Sequence, residues 1–364
     1  MTFTSDSFVD EFDYIIVGQG LAGSILACLL RMQRKRVLLI DNGHRTAASM
    51  SAAGIINPIT GKRLNRPYLI DQLLEHAFAI YPQLERFLGA SFFRRRKVLR
   101  LLQSEAEQRQ WKTRLATGEY SKYVGSIDCP PFACNGPWLG GFEITQAAQL
   151  DVPAFLRRTR SVLASADALL ESEFSYEELE FSTQAAHWRQ YSARAVIFCE
   201  GYKLDQNPFF KAIQLNPAKG ELLTLRAPGF ADDRIIQRGK WLYRASADEL
   251  KAGTTYSWDN LDETPTNAGR KEIEDSLRQF ANIDYEVLDH TAGVRPVIRV
   301  DNRPVIGAHP DNNRIAIFNG LGSKGALQAP FAAVQLIGYL ERSQTIHPEF
   351  NVCRKSLWQQ PSSD

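Results

Sequence analysis

A glycine-rich turn between two short apolar segments constrains the fold of the amino-terminal part of this chain. Residues 14–17 form an apolar run of the kind found in buried parallel strands, and Gly18, Gly20 and Gly23 follow at once. In this spacing the first glycine permits a tight turn, the second lets a phosphate approach the backbone, and the third lets a helix pack closely on the sheet. The pattern therefore predicts a strand, a turn and a helix over residues 14–32.

The residues after this turn indicate which ligand it would bind. The predicted helix begins at about Leu21, next to Ala22, so that its positively polarised amino end lies where a phosphate would sit. A second apolar strand over residues 36–40 leads to Asp41, about 20 residues after the glycines, where a carboxylate can bind ribose hydroxyls. The alternative is an ordinary strand–helix turn without a ligand. The context favours a dinucleotide site, and the motif alone does not distinguish FAD from NAD.

Length and composition predict a soluble protein of two domains. The chain has 364 residues, of which 44% are apolar and 23% charged, and its net charge is +2. This charge is too small to argue by itself for binding to nucleic acid or to a membrane. The five cysteines form an odd, scattered set, which favours a reducing compartment over a disulfide framework. Cys129 and Cys134 could pair or bind a metal, but no further ligands lie at suitable spacing, and we expect ordinary thiols and no metal.

The sequence contains no recognisable targeting signal or membrane span. Residues 1–12 contain acids but no basic run and no apolar core, unlike a signal peptide. The longest late apolar stretch, residues 326–340, is too short to cross a bilayer and contains Gln328 and Gln335. We therefore expect a cytoplasmic protein.

A loop of small residues follows the second predicted strand. Within residues 46–54, Ser49 and Ser51 can donate hydrogen bonds, and Ala53 and Gly54 allow close approach. This composition suits a loop that lies along phosphates or along a flat ring. The alternative is a flexible surface loop.

A second strand–glycine loop–helix pattern occurs near the carboxyl end. The apolar strand 314–318 leads into a loop with three glycines at residues 320–325, which an apolar helix over 326–340 follows. The amino end of that helix would face a developing negative charge, such as that of reduced flavin on its pyrimidine side. Lys324 and the loop amides would then favour reduction. The alternative is a helix start without a ligand.

Periodicity and capping residues predict the remaining elements. Apolar residues at intervals of three and four predict a helix over residues 68–88, and Asp151 with Pro153 predicts the start of another. The apolar run 193–201 predicts a buried strand that ends in a glycine beside a cofactor. Shorter patterns predict strands at 92–102, 142–145, 169–174, 179–181, 187–191, 221–225, 241–245 and 253–256, and helices at 105–115 and 266–280, the latter capped by Asn267.

Five motifs in a fixed order link these elements to a known family. They are DYIIVGQGLAG, SAAGIINP, AVIFCEG, AGVRPVIRVDNRPVIG and NGLGSKGALQAP. Together they resemble the D-amino-acid oxidase superfamily of FAD-dependent oxidoreductases. That group includes glycine oxidase, sarcosine oxidase and the flavin half of the bifunctional enzyme that modifies the wobble uridine of tRNA. The similarity runs along nearly the whole chain and is specific to the superfamily, though not to a substrate.

The resemblance implies an α/β fold of two interleaved domains. One is a Rossmann-like domain with a parallel sheet that binds FAD, built from residues 1–65, 141–215 and 292–364. The other is a mostly antiparallel α+β substrate domain, built from residues 66–140 and 216–291. The glycine-rich block where sarcosine oxidases attach their flavin contains no cysteine, so we expect noncovalent FAD.

The resemblance also implies which residues form the site. Arg295 lies where many amine-oxidising members hold the substrate carboxylate, a task that suits a guanidinium fork. Two positions depart from the usual motifs, because Glu200 replaces alanine and Asp41 replaces the commoner glutamate. With Lys324 at the pyrimidine edge of the flavin, the residues expected to bind the cofactor are Gly18, Gly20, Leu21, Ala22, Gly23, Asp41, Asn42, Ser51, Ala53, Gly54, Glu200, Gly201, Gly320, Gly322, Ser323, Lys324 and Gly325.

The implied reaction is oxidation of a C–N bond in an amino acid or an N-substituted glycine-like amine. Arg295 would hold the carboxylate, the C–H bond would point at the flavin, and water would hydrolyse the imine. Tyr243 and Tyr256 lie in the region of the family's active-site tyrosines, but a place in the sheet or the core explains each equally well. The sequence does not predict an oligomeric state or an electron acceptor.

Two alternatives remain open at the level of sequence. The last two motifs look most like the tRNA-modifying flavin half, which oxidatively removes an N-carboxymethyl group from a wobble uridine. The basic run 94–97 with Arg157, Arg158 and Arg160 would then contact phosphates, although a solvated strand end also explains that run. The other alternative is a flavin-binding subunit that needs a partner for activity.

Overall fold

Three β-sheets form the framework of the chain in a computed structural model that describes residues 10–44, 47–126 and 139–358. The helices are α1 (Leu21–Met32), α2 (Ile70–Leu88), α3 (Glu105–Ala116), α4 (Val152–Ala164), α5 (Asn267–Arg278), α6 (Gly325–Arg342) and α7 (Lys355–Trp358). The strands are β1 (Asp10–Val17), β2 (Val37–Asp41), β3 (Ile55–Ile56), β4 (Phe93–Arg95), β5 (Val98–Leu101), β6 (Val124–Ser126), β7 (Gly141–Ile144), β8 (Ala148–Leu150), β9 (Leu169–Glu171), β10 (Leu179–Phe181), β11 (Ala186–Trp188), β12 (Tyr191–Phe198), β13 (Ala218–Arg226), β14 (Ile235–Arg238), β15 (Lys240–Arg244), β16 (Glu249–Gly253), β17 (Glu286–Arg295), β18 (Val305–His309) and β19 (Asn312–Asn319).

The first sheet has the parallel core that the sequence predicts. β1 lies between β12 and β2, β9 pairs with β2, and β19 pairs with β12, all in parallel. In β1, Ile16 packs into one core and Ile15 into the core on the opposite face of the sheet. Both faces are buried, which is why the central strands are continuous apolar runs. The α/β class with a Rossmann-like parallel sheet is therefore confirmed.

The second sheet is mostly antiparallel, as predicted. Its order is β17-β13-β16-β15-β14-β5-β7-β6, and only the pair β14–β5 in this sheet is parallel. One face packs Leu223 and Leu242 against Ile273 and Leu277 of α5. β3, β8 and β4 form a small third sheet. Along the chain, strands of the second sheet lie between strands of the first sheet, so the two large sheets are interleaved in sequence.

The residue ranges of the two domains stay a prediction. β7 lies within the range 141–215 that we expect to bind FAD, and it pairs with β5 and β6 in the second sheet. α2 lies within the range 66–140 that we expect to belong to the substrate domain, and it packs against α1 and α6.

Several local predictions are wrong for physical reasons. Residues 92–102 form two strands, β4 and β5, because the hydrogen-bonding partners change between them: β4 pairs with β8, β5 pairs with β14 and β7, and Arg96 and Lys97 belong to neither strand. The helix cap is Thr266, whose hydroxyl accepts the Gly269 amide at 3.0 Å, and Asn267 is the first residue of α5. A strand is predicted at 253–256, but the observed strand β16 ends at Gly253, so the prediction is displaced toward the carboxyl end. The sequence does not predict β14, β17 and β18.

Asp151 caps α4, as predicted, since its carboxylate accepts the Ala154 amide at 3.0 Å.

Other predictions lie outside the described residues or concern membranes and metals. Cys129 and Cys134 lie outside the described residues. No helix within those residues has the length and apolar composition of a membrane span. The same residues contain no cluster of His, Cys, Asp and Glu arranged to hold a metal ion.

Candidate cofactor and substrate site

A cavity of about 620 Å³ is lined by residues of both large sheets. Its size is that of an ordinary ligand site. Of the predicted site residues, Gly23 and Gly320 do not line it: Gly23 packs on the turn, and Gly320 faces Ile298. The predicted residues that line it are Gly18, Gly20, Leu21, Ala22, Asp41, Asn42, Ser51, Ala53, Gly54, Glu200, Gly201, Arg295, Gly322, Ser323, Lys324 and Gly325.

The glycine turn after β1 has the geometry that its spacing predicts. Gly18 has φ +98°, and a Cβ there would lie 2.6 Å from the Cys199 carbonyl oxygen. A Cβ at Gly23 would lie 2.0 Å from the Gly18 carbonyl oxygen, so α1 packs directly on the turn. Gly20 differs, because a Cβ there would approach only the Ser49 hydroxyl, at 3.4 Å. Gly20 therefore leaves space on the cavity side.

The loop before β3 is fixed between α1 and β17. The Ser49 hydroxyl accepts the Leu21 amide at 3.1 Å, at the amino end of α1. The Ser51 hydroxyl donates to the Ala292 carbonyl at 2.8 Å. Ser49 therefore belongs to the site as well as Ser51, although only Ser51 was among the predicted binding residues; the hydroxyls in the loop were the signal.

Asp41 is held by four donors at the end of β2. Its Oδ2 accepts the Gln19 amide at 2.9 Å, and its Oδ1 accepts the Gly43 and His44 amides at 2.9 Å each. Arg160 donates to Oδ1 at 3.2 Å and also pairs with Glu171. Burial lowers the pKa of His44, more than the nearby Asp41 raises it, so the imidazole is neutral at pH 7. Asp41 thus joins the second strand to the glycine turn.

Glu200 places a carboxyl group in the cavity wall after β12. One oxygen accepts the Tyr176 hydroxyl, and the other accepts the Asn207 side-chain amide at 2.7 Å. Burial raises the pKa of Glu200 to about 7, although both hydrogen bonds act in the opposite direction. The departure from the family motif therefore introduces a group that titrates near neutral pH.

Lys324 lies at the start of α6, where the second glycine loop ends. Lys324 is the N-cap residue of α6, its side chain makes no capping hydrogen bond, and it lines the cavity. Burial lowers its pKa. Within the described residues its ammonium group has no carboxylate partner within ion-pair distance. The arrangement directs a positive charge and the positive end of a helix dipole at the cavity.

Arg295 ends β17 and lines the cavity without an acidic partner among the described residues. Its Nη2 donates to the Thr254 hydroxyl at 2.7 Å, and Nη1 and Nη2 each lie 3.4 Å from the Thr255 carbonyl oxygen. The guanidinium carbon lies 4.5 Å from the centre of the Tyr256 ring. Burial lowers the pKa of Arg295, although the Tyr256 side chain acts to raise it. The group is thus a shielded cation with neutral neighbours.

The second sheet contributes cavity residues that the sequence did not reveal. Trp241 and Gln237 are paired across β15 and β14, and the Asn57 side chain donates to Gln237 at 3.3 Å. They belong to no local motif, and only the strand order brings them to one wall. The two candidate tyrosines do not contribute to this wall: Tyr243 is buried and donates to the Ala53 carbonyl at 3.3 Å, and Tyr256 is 44% exposed.

These residues fit FAD. Apart from the Ser49 contact with the Leu21 amide, no side chain caps the amino end of α1. The backbone amides at this end can therefore donate hydrogen bonds to a pyrophosphate. A side chain at Gly18 or Gly23 would clash with backbone carbonyl oxygens, so the turn requires glycine at both positions. Asp41 and Lys324 both line the cavity; a carboxylate such as Asp41 suits a ribose, and a cation such as Lys324 suits an anionic ring edge.

Comparisons with known proteins support this interpretation. The family described as "FAD dependent oxidoreductase" (DAO) matches residues 13–337. The uncharacterized oxidoreductase YurR of Bacillus subtilis (strain 168) is 24% identical over 359 residues, covering 91% of this chain and 95% of that protein. Glycine oxidase from Geobacillus kaustophilus superposes with a TM-score of 0.81 and 20% identity, covering 97% of this chain and 100% of that one. Iminodiacetate oxidase (IdaA) from Chelativorans sp. BNC1 has a TM-score of 0.74 and 20% identity, covering 92% and 96%.

The structural matches show a shared fold, and the family match covers most of the chain. The family resemblance drawn from the five motifs is thereby confirmed. The chain belongs to the DAO family of FAD-dependent oxidoreductases and is an FAD-binding enzyme.

Proposed function

We propose that this enzyme oxidises a C–N bond in a small amine that carries a carboxylate, either an amino acid or an N-substituted glycine-like compound. The observation that carries this proposal is Arg295. A shielded guanidinium without an acidic partner among the described residues is costly, and a bound carboxylate would compensate it with two parallel hydrogen bonds. Glycine and iminodiacetate, which the names of two structural relatives specify, are both amines of this class.

Each cavity residue then has a separate task. FAD, when bound, supplies the acceptor for two electrons and a proton from the substrate. Arg295 holds the carboxylate, which fixes the adjacent carbon and leaves its C–H bond free to face the ring. Lys324 presents positive charge where negative charge increases during reduction. The substrate loses these two electrons and one proton from its C–H bond and releases a second proton from nitrogen to water, which leaves an imine. Water then hydrolyses the imine to a carbonyl compound and the released amine.

The proposal is tested by mixing the oxygen-free, FAD-loaded protein with glycine, N-methylglycine, iminodiacetate, proline and several D-amino acids, and following the visible spectrum. Bleaching by one of them identifies the substrate class. Arg295→Ala is then expected to raise KM by about 10- to 100-fold while FAD stays bound. Arg299→Ala is the matched control, because Arg299 is exposed and does not line the cavity. Unchanged kinetics of Arg295→Ala would contradict the anchoring role.

A tRNA substrate has weaker support from the structure. Arg94 and Arg96 pair with Asp233, and Lys97 pairs with Glu143. Arg160 is engaged by Asp41 and Glu171, and Arg158 donates to the Leu88 carbonyl at 2.6 Å. Each of these side chains therefore already has a partner within the chain, although Arg94 and Lys97 remain more than half exposed. A protein that no small amine bleaches, but that binds tRNA with a steep dependence on salt, would favour the tRNA alternative.

The alternative of a partner-dependent subunit makes a different prediction. In that case the isolated chain would hold FAD and show no turnover with any amine of the panel. Turnover by the purified chain alone would remove the need for a partner.

A further inference from the structure

We propose that Gly220 is a positioning residue for the substrate carboxylate, because its missing side chain is what lets Arg295 lie across the second sheet and face the cavity. The inference rests on the proposed function, since it concerns the residue assigned to bind that carboxylate. Gly220 was not among the predicted site residues, and no motif marks it.

The guanidinium of Arg295 lies directly over Gly220. A Cβ at Gly220 would lie 1.7 Å from Nη2, 2.2 Å from Cζ and 2.5 Å from Nη1 of Arg295. All three distances are far inside van der Waals contact, so no β-carbon fits beneath the group in its present place. Gly220 also lines the cavity, and it pairs with Gly293 across β13 and β17.

The neighbours of Arg295 define where the displaced group would go. The Tyr256 ring is 4.5 Å from the guanidinium carbon, and Thr254 accepts Nη2 at 2.7 Å. A side chain at Gly220 would therefore displace the guanidinium and disturb its contacts with Tyr256 and Thr254. The positive charge of Arg295 would remain, but Tyr256 and Thr254 would no longer hold the guanidinium in its present orientation.

Gly220 differs from the other two glycines that pack tightly in this part of the sheet. A Cβ at Gly293 would meet the Ala48 Cα at 3.0 Å, and one at Gly253 would meet the Trp241 ring at 3.1 Å and the Glu221 carbonyl oxygen at 3.2 Å. At both positions some of the obstructing atoms are backbone, which cannot move independently of the fold. At Gly220 the obstructing atoms belong to the end of a flexible side chain, and Gly220 has neither a positive φ nor a place in the register shift near Thr224, so the backbone of β13 can accept alanine there. Substitution there should move Arg295 and leave the sheet intact.

The test compares Gly220→Ala with Gly125→Ala. Gly125 lies in β6 of the same sheet, away from the cavity, and a Cβ there would meet only the Thr145 methyl at 3.7 Å. The measurements are the FAD absorption spectrum, thermal unfolding, kcat and KM with the bleaching amine, and the dissociation constant of acetate from its effect on the flavin spectrum. We expect Gly220→Ala to fold, to hold FAD, to weaken acetate binding and raise KM by about tenfold or more, and to change kcat by less than about threefold. Gly125→Ala should behave as the unchanged protein.

A double-variant cycle separates this role from a general effect on the sheet. If Gly220 acts through Arg295, Gly220→Ala has no further effect on KM or acetate binding in an Arg295→Ala background. Multiplying effects, or wild-type acetate binding in Gly220→Ala, would overturn the inference. Should Gly220→Ala fail to fold, folding of the double variant with Arg295→Ala would support it, because the clash is then with that side chain. Failure of the double variant as well would overturn it.

The outcome for Arg295→Ala alone distinguishes the two proposals. If that variant binds acetate and substrate normally, the proposed function fails, and this inference fails with it. If that variant binds them weakly and Gly220→Ala binds them normally, the proposed function stands and only the role of Gly220 is wrong.

Discussion

The Asp41 carboxylate accepts the backbone amide of Gln19 at 2.9 Å, which ties the end of β2 to the middle of the glycine turn after β1. The same carboxylate accepts the Gly43 and His44 amides, so it organises its own turn as well. The sequence predicts that Asp41 binds a ribose, and in the structure its carboxylate also holds the glycine turn in place.

Asp41→Asn is therefore expected to weaken FAD binding by about 10- to 100-fold and to lower thermal stability. The amide either turns an N–H toward the backbone donors or offers a weaker acceptor, so at least one buried N–H loses a strong partner. Fluorescence of released FAD measures the affinity. Glu171→Gln is the control, since Glu171 also pairs with Arg160 but its side chain is 67% exposed. Equal affinity of Asp41→Asn and the unchanged protein would contradict the structural role.

The grouping of Gly18, Gly20, Asp41 and Lys324 around one cavity could be predicted because the signals are local. Gly18, Gly20 and Asp41 lie in a single strand–turn–helix–strand unit, and one spacing rule connects them. The second glycine loop and Lys324 are local in the same way. For these residues the order along the chain already fixes which ones end at the same edge of the sheet.

The cavity wall formed by the second sheet could not be predicted because strand order creates it. Gly220, Gln237 and Trp241 come from three neighbouring parts of the second sheet and reach the cavity only once β13 to β17 have paired. Arg295 was found only through the family motif. The pairing of β17 with β13 also shifts register between Thr224 and Leu225 of β13. Such a shift interrupts the alternation of buried and exposed residues from which a strand is predicted.

Two glycines of the turn should respond differently to alanine. At Gly23 a Cβ would lie 2.0 Å from the Gly18 carbonyl oxygen, so Gly23→Ala must separate α1 from the turn, and we expect it to lower stability by about 3 kcal/mol or more. At Gly20 a Cβ has room in the protein and points to the cavity side, and the backbone φ of −75° suits alanine. Gly20→Ala should keep the unfolding temperature of the FAD-free protein and bind FAD more weakly. Thermal unfolding of both FAD-free variants, followed by FAD titration, checks this. Similar losses of stability in both would contradict the distinction.

Lys324→Met should make the bound flavin harder to reduce. Lys324 is a cation in the cavity wall with no carboxylate partner among the described residues, and burial already lowers its pKa, which shows that its surroundings solvate charge poorly. If the flavin ring binds beside Lys324, as the sequence predicts, the substitution deletes positive charge next to a ring that becomes anionic on reduction. An oxygen-free redox titration measures the midpoint potential, which should become more negative. Lys203→Met is the control, since Lys203 also lines the cavity but comes from the segment after β12 and not from the second glycine loop. An unchanged potential in Lys324→Met would place the ammonium away from the ring.

Glu200 should make stability depend on pH. Burial raises its pKa from 4.5 to about 7, so between these values the folded protein holds a proton that the unfolded chain has released. The free energy of unfolding therefore falls as pH rises through this range, and the favourable contribution is fully present only below about pH 4.5. Gln is neutral at every pH, so Glu200→Gln removes this dependence. The difference in unfolding free energy between the unchanged protein and Glu200→Gln should shift by about 2 kcal/mol between pH 5 and pH 8, with the unchanged protein relatively weaker at pH 8. Denaturant unfolding of the FAD-free proteins at the two pH values measures this shift, and parallel pH profiles would show that Glu200 ionises normally in the folded chain.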